Sequence, residues 1–165
     1  MIALDEAGLR RWGRALGCAA AREPVFVALD GPLGAGKTTL VQAACAGLGV
    51  SEAVTSPTFT LVNRYRGAAG PVMHADLYRI ERSEELVELG WDDLLRGDAP
   101  VFVEWAGRAG DALPADRWEI GLAIGKGGAT RLVDARVAGG APPIPAPSPP
   151  RGVAGLVGAG EDGGC

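Results

Sequence analysis

The stretch GPLGAGKTT, residues 31–39, has residue types and spacing suited to binding phosphate. It follows the P-loop pattern of a glycine, four further residues and then Gly-Lys-Thr at positions 36–38. Glycines allow such a loop to turn its backbone N–H groups inward around phosphate oxygens. In this pattern Lys37 is expected to contact the β- and γ-phosphates, and Thr38 to ligate a magnesium ion. The sequence therefore predicts a phosphate site at this loop.

A magnesium ion beside a P-loop also needs an acidic side chain, which the end of a neighbouring strand normally supplies. Two positions qualify, because Glu104 ends the apolar run VFVE and Asp76 follows VMHA. Each can place a carboxylate at the edge of the sheet where phosphates bind. The alternative for each acid is a solvated strand end, and the presence of two such acids favours a functional site.

His74 and Trp105 each have two interpretations. Side chains alternate along a regular strand, so His74, Asp76 and Tyr78 are expected to share one face. A hydrogen-bonded structural role for His74 is favoured over a catalytic one. Trp105 follows Glu104 and either covers a nucleotide or packs against the core, and spacing does not decide between these roles.

The elements that must position these groups follow an α/β pattern. An amphipathic helix is predicted at about residues 5–20, and a strand at 25–29 leads into the P-loop and a second helix. Residues 54–60, VTSPTFT, are predicted to form a loop. A further helix is predicted over 83–95, with Ser83 at its N-cap position.

Two antiparallel strand pairs are predicted from paired apolar runs with short glycine-containing connections. TLVNRY and PVMHADLY flank RGAAG, and RWEIGLAI and TRLVDARV flank GKGGA. From residue 139 the sequence is dominated by proline, glycine and alanine without a period that would build an element. The expected organisation is one domain over residues 1–138 and a disordered tail over 139–165.

Bulk properties limit the classes of function. The chain of 165 residues is long enough for one domain with a core. A net charge of −4 has the wrong sign for a protein that binds a nucleic-acid backbone by itself, so any contact with nucleic acid is expected to be indirect. No apolar run approaches the ~20 residues that span a bilayer, and the N-terminus lacks a signal-peptide pattern. A cytoplasmic protein without a membrane partner is expected.

Several blocks of the sequence together resemble the TsaE (YjeE) family. GPLGAGKTTLVQ, VTSPTFTLVNRY, HADLYRI, ELGWDDLL and VFVEWAGR occur in the family's order and spacing, over roughly residues 5–137. The resemblance implies a P-loop NTPase fold, a three-layer α/β sandwich with a mixed, mainly parallel sheet. It implies ATP hydrolysis with Mg²⁺ in the synthesis of threonylcarbamoyladenosine (t6A) on tRNAs that read codons beginning with A. The implied partners are the TsaB and TsaD proteins, with tRNA contacted through their complex.

The same resemblance assigns roles to individual residues. Lys37, Asp76 and Glu104 are the expected catalytic residues, with Asp76 orienting water or the metal shell. Thr38 and Glu104 are expected to hold magnesium. Thr58 belongs to a switch-like loop. The expected nucleotide-binding residues are Gly34, Ala35, Gly36, Lys37, Thr38, Thr39, Trp105 and Arg131.

Pro32 departs from the family pattern and removes one backbone donor from the loop, which puts nucleotide affinity in question. Two other functions remain open. A small-molecule kinase would use the same loop, but it needs clustered arginines, and Arg64, Arg66 and Arg79 are scattered. A nucleotide-binding regulatory module that does not hydrolyse ATP is disfavoured by the two acids. A GTPase is disfavoured because the sequence has no Asn-Lys-x-Asp motif.

Overall fold

A computed structural model describes residues 1–147, which contain a seven-stranded sheet in the order β1-β7-β6-β2-β5-β4-β3. The strands are β1 (Ile2–Leu4), β2 (Phe26–Asp30), β3 (Val62–Arg66), β4 (Pro71–Asp76), β5 (Val101–Glu104), β6 (Arg117–Ile124) and β7 (Arg131–Ala138). The four central strands β6, β2, β5 and β4 run parallel to one another. The outer strands β1, β7 and β3 pair antiparallel, so the sheet is mixed with a parallel centre.

Helices cover both faces of this sheet. The described residues form two hydrophobic cores. The first core includes residues of α1 (Glu6–Arg22) and α2 (Lys37–Gly47). The second core includes residues of α3 (Glu85–Glu88), α4 (Trp91–Leu94) and a 3-10 segment (Ala106–Ala112). This arrangement confirms the predicted three-layer α/β sandwich. Both predicted antiparallel pairs are present, as β3–β4 and β6–β7. Within residues 1–147, no helix has the length and apolar character needed to cross a membrane.

The helix α1 forms the support on which the P-loop helix rests. Asp5 caps it by accepting a hydrogen bond from the Gly8 N–H at 2.7 Å. Its apolar residues recur every three or four positions, which is the helical period, and they are buried: Leu9, Trp12, Leu16 and Ala20. A Cβ on Gly17 would lie 2.0 Å from the Ala44 carbonyl oxygen of α2, so glycine permits the close approach of these two helices.

Two elements differ from the sequence-based expectations. The strand β1 was not anticipated, because three residues are too few to display a period. The helix predicted over 83–95 is two single turns, separated where Gly90 adopts a left-handed φ of 70° and ends the first turn. Glu84 rather than Ser83 occupies the N-cap position, without a side-chain capping bond. Both turns still bury the apolar residues that generated the prediction, namely Leu86, Trp91 and Leu94.

The first part of the predicted tail contacts the domain. Trp118 Nε1–H donates to the Pro142 carbonyl at 2.7 Å, and Trp12 Nε1–H donates to the Pro145 carbonyl at 2.7 Å. Ile144 packs against the hydrophobic core that contains α1 and α2. Buried indole N–H groups need acceptors, and these carbonyls supply them. The structure therefore differs from the expectation that the chain leaves the fold at residue 139; the remainder of the predicted tail, 148–165, lies outside the described residues.

Candidate functional site

The P-loop connects β2, at the centre of the sheet, to the N-terminus of α2. Gly31, Gly34 and Gly36 all have positive φ, at 142°, 76° and 99°. Gly36 is the N-cap of α2, and its carbonyl accepts the helical hydrogen bond from Leu40 N–H at 2.9 Å. The first N–H groups of a helix have no partner within the helix and, with the helix dipole, favour an anion. The loop therefore has the backbone conformation of a phosphate cradle.

Lys37 is buried at the floor of this loop. Its Nζ donates to the Gly31 and Pro32 carbonyls, at 2.8 and 3.1 Å, and lies 4.0 Å from the centroid of the Trp105 ring. Burial lowers the pKa of Lys37 below its ordinary value, and the negative charges of Glu104, Asp76 and Asp30 oppose that shift in turn. The ammonium is thus held in place by loop carbonyls, and phosphate oxygens are stronger acceptors for it than neutral carbonyls.

Glu104 lies at the end of β5, directly beside the start of α2. Its Oε1 accepts a hydrogen bond from Thr38 Oγ1 at 2.7 Å and lies 3.0 Å from His74 Nε2. Glu104 and His74 are both buried. A hydroxyl and a carboxylate are hard oxygen donors of the kind that magnesium prefers, so this pair fits the ion that a P-loop nucleotide carries.

Asp76 lies next to Glu104, since these two residues are paired in the parallel register of β4 and β5. Its two oxygens have different partners. Oδ1 accepts from the Tyr78 N–H at 2.9 Å, and Oδ2 accepts from Ser56 Oγ at 2.6 Å and Thr58 Oγ1 at 3.3 Å. The carboxylate therefore joins the predicted 54–60 loop to the end of β4.

The position of Trp105 is compatible with both roles that the sequence left open. Its ring packs partly against the second core and also lines the cleft above the P-loop, with the Tyr78 ring 5.1 Å away. Its backbone has a left-handed φ of 58°, which is uncommon for a bulky residue and is found mainly at functional sites. The turn at Trp105 directs the chain into the 3-10 segment immediately after Glu104.

These groups line one cleft of about 520 Å³, a volume suited to a nucleotide. Its walls include every predicted site residue except Ala35, which instead lies in the core with its N–H donating to the Pro32 carbonyl at 3.1 Å. Arg131 lies at the end formed by the β6–β7 hairpin, where its guanidinium donates to the Gly128 and Thr130 carbonyls. The sequence thus identified most of the groups that the fold brings together.

Other lining residues were not anticipated. Glu6 and Leu9 come from α1, and Gly128 and Ala129 from the β6–β7 hairpin, at the same end as Arg131. Nothing in their local sequence marks them, because α1 and the hairpin meet the P-loop only in the folded chain. Ser56 does not line the cleft, but it donates a hydrogen bond to Asp76. The sequence could have indicated Ser56, since it lies two residues before Thr58 in the same hydroxyl-rich loop.

A P-loop between a central parallel strand and a helix, with carboxylates at the ends of two neighbouring parallel strands, defines the P-loop class of α/β proteins. A profile of the family described as "Threonylcarbamoyl adenosine biosynthesis protein TsaE" matches residues 4–132. The chain belongs to the TsaE family, as its sequence blocks predicted.

Similar proteins agree with this assignment. A tRNA threonylcarbamoyladenosine biosynthesis protein TsaE of Treponema pallidum is 36% identical over 114 residues, covering 69% of this chain and 83% of that protein. The one from Bacillus subtilis is 41% identical over 92 residues, covering 56% and 57%. The one from a Nostoc species is 45% identical over 85 residues, covering 50% and 52%. In the latter two cases the match spans a little over half the length of the relative.

A crystal structure of YdiB from Bacillus subtilis has the same fold. It superimposes with a TM-score of 0.67 and is 28% identical, covering 82% of this chain and 81% of that one. The predicted P-loop fold class is therefore confirmed.

Proposed function

We propose that this protein is an Mg²⁺-dependent ATPase that acts as an accessory factor to TsaB and TsaD in t6A synthesis on tRNA. Membership of the TsaE family supports the pathway. The cleft supports the ATPase, because a P-loop, a buried lysine and two acids line it together. The cytoplasm is the proposed location, since tRNA modification takes place where tRNA is found.

The hydrogen bond between Thr38 Oγ1 and Glu104 Oε1 carries this proposal. It joins the first turn of the P-loop helix to the end of a neighbouring strand, and these are the two positions from which Thr38 and Glu104 would hold a magnesium ion. A magnesium ion bound there would neutralise charge that develops on the terminal phosphates. A solvated strand end, the alternative for Glu104, does not account for its burial or for its bond to Thr38.

Three residues of this chain would supply the remaining functions of the site. Lys37 would exchange its carbonyl partners for phosphate oxygens and supply a positive charge within the loop. Asp76 would orient the attacking water, because it lies beside Glu104 and its side chain accepts hydrogen bonds from Ser56, Thr58 and the Tyr78 amide. The Trp105 ring would shield the site from bulk water.

Hydrolysis by the protein alone is expected to be slow. Within the described residues, the arginine that lines the cleft is Arg131, and its guanidinium donates to the Gly128 and Thr130 carbonyls of the hairpin. A missing arginine near the transferred phosphate costs a factor of ~10³ to 10⁵ in P-loop enzymes, and a partner can supply it in trans. We therefore propose that the complex with TsaB and TsaD is the active form, and that hydrolysis resets it between rounds of modification.

The kinase alternative receives no support from the cleft. Arg64 and Arg66 lie on the outer strand β3 beside a separate cavity, and Arg79 packs over the Phe59 ring. They do not form a cluster that could hold a second phosphorylated substrate within the described residues. The non-hydrolysing alternative is distinguished by measuring phosphate release from ATP by this protein in the presence of TsaB and TsaD, because a regulatory module would bind ATP without releasing phosphate.

The test is multiple-turnover formation of t6A on tRNA by TsaB, TsaD and their other reactants, with this protein present, absent or carrying Lys37→Ala. Lys37→Ala removes a charge-assisted contact worth about 1.5 to 3 kcal/mol, so ATP affinity should fall roughly 10- to 100-fold and product should stop accumulating. Lys126→Ala, at the chain's other lysine, which is exposed, is the matched control. Equal product in all mixtures would refute the proposed function.

A further inference from the structure

His74 is a buried polar residue that the proposed mechanism does not use. It lies in the middle of β4 with no measurable exposure, and it is the single histidine of the sequence. Its Nε2 is 3.0 Å from Glu104 Oε1, whereas its Nδ1 has no hydrogen-bond partner among residues 1–147. A buried polar side chain with one satisfied and one unsatisfied nitrogen calls for a specific role, since most such groups are fully paired.

The hydrogen bond fixes which nitrogen carries the proton. A carboxylate oxygen only accepts, so Nε2 must donate to Glu104. Nδ1 is then an acceptor without a partner in the described part of the chain, and the centroid of the His74 ring lies 6.5 Å from that of the Tyr65 ring.

The two carboxylate oxygens of Glu104 differ in their hydrogen bonds. Oε1 accepts from Thr38 on one side and from His74 on the other. Within the described residues Oε2 makes no hydrogen bond, and Glu104 lines the cleft. Two donors on Oε1 thus restrain the rotation of the carboxylate, and Oε2 is left to face the cleft.

We propose that His74 is a positioning residue that holds Glu104 so that Oε2 is presented to the magnesium ion or to one of its waters. This rests on the metal-binding role proposed for Glu104. Groups that orient a metal ligand through a hydrogen bond commonly change metal affinity 10- to 100-fold when they are lost.

A ligand-free measurement tests the hydrogen bond itself. Because the sequence has one histidine, long-range ¹H–¹⁵N correlation spectra of the ¹⁵N-labelled protein contain one imidazole pattern and need no further assignment. We expect a protonated Nε2 and an unprotonated Nδ1, with an Nε2 proton that shifts when Glu104 is replaced by Gln. A protonated Nδ1 with a bare Nε2 would overturn the proposal, whether or not the protein binds nucleotide.

A second measurement separates positioning from folding. Binding of a non-hydrolysable ATP analogue is measured by calorimetry with Mg²⁺ and with EDTA. His74→Leu should lower the Mg²⁺-supported affinity about tenfold and leave the EDTA affinity within about twofold. His74→Gln should restore it, because the Gln amide nitrogen is as many bonds from Cα as the imidazole Nε2 and also donates.

Val72→Ala is the matched control, since Val72 is buried on the same face of β4 two residues earlier and does not contact Glu104. Equal losses with Mg²⁺ and EDTA, a similar Mg²⁺-specific loss in Val72→Ala, or no recovery in His74→Gln would contradict positioning. If the parent protein binds no nucleotide in either buffer, the proposed function fails, and the imidazole spectrum still decides whether His74 holds Glu104.

Discussion

Glu104 and Asp76 occupy paired positions at the ends of neighbouring parallel strands, yet they belong to different environments. Glu104 is held by groups of the core and of the P-loop helix, His74 and Thr38. Asp76 accepts one hydrogen bond from the Tyr78 N–H just after β4, and its other oxygen is held by Ser56 and Thr58, which lie in a loop without regular secondary structure.

The difference shows how one sheet edge can combine a fixed and an adjustable carboxylate. Residues of packed strands and helices resist displacement, whereas a surface loop opens at low free-energy cost. Glu104 is therefore suited to hold a ligand in the ground state. Asp76 is suited to a step that depends on where the 54–60 loop lies.

The largest expected effect comes from neutralising the core-bound acid. Glu104→Gln should reduce Mg²⁺-supported ATP affinity and hydrolysis together. Loss of a residue that only orients a metal ligand lowers metal affinity roughly 10- to 100-fold, and loss of the ligand itself should cost at least as much. Magnesium titrations of nucleotide binding measure this, with Glu88→Gln on the exposed face of α3 as the control. If the magnesium dependence of binding is unchanged in Glu104→Gln, Glu104 does not hold the metal, and the proposed difference between the two acids is wrong.

Neutralising the loop-bound acid should give a different pattern. Asp76→Asn should slow turnover about tenfold at saturating ATP, as expected for a weakened charged hydrogen bond of roughly 1.5 kcal/mol, and change ATP affinity less than about threefold. Steady-state hydrolysis in the full mixture with TsaB and TsaD separates the two parameters. Asp92→Asn, exposed on α4, is the control. Loss of affinity equal to that of Glu104→Gln would mean that the two acids act alike.

Ser56→Ala is expected to have the smallest effect, and combining it with each acid variant tests which acid Ser56 acts through. Ser56→Ala removes the 2.6 Å bond to Asp76 and should slow turnover about two- to fivefold. In the Asp76→Asn background it should have little further effect, whereas with Glu104→Gln the two losses should add within about 0.5 kcal/mol. Thr60→Ala is the control, because Thr60 lies in the same loop and bonds to Asn63 instead. Equal coupling to both acids would contradict a loop linked specifically to Asp76.

The sequence predicts what depends on local pattern. The P-loop, the paired strands around 62–76 and the two acids follow from spacing over a few residues. The break at Gly90 was missed because the helical period of buried residues persists across it. The His74–Glu104 bond could not be predicted, since it joins two residues 30 positions apart in the chain and depends on the register between β4 and β5.

The proline-rich segment that accepts bonds from Trp12 and Trp118 has a consequence for self-association. Pro142, Pro143 and Pro145 have no backbone N–H, so this segment can accept hydrogen bonds from the indoles but cannot donate the regular ladder of a β-strand. It therefore covers apolar surface without itself presenting a strand edge onto which a second chain could add.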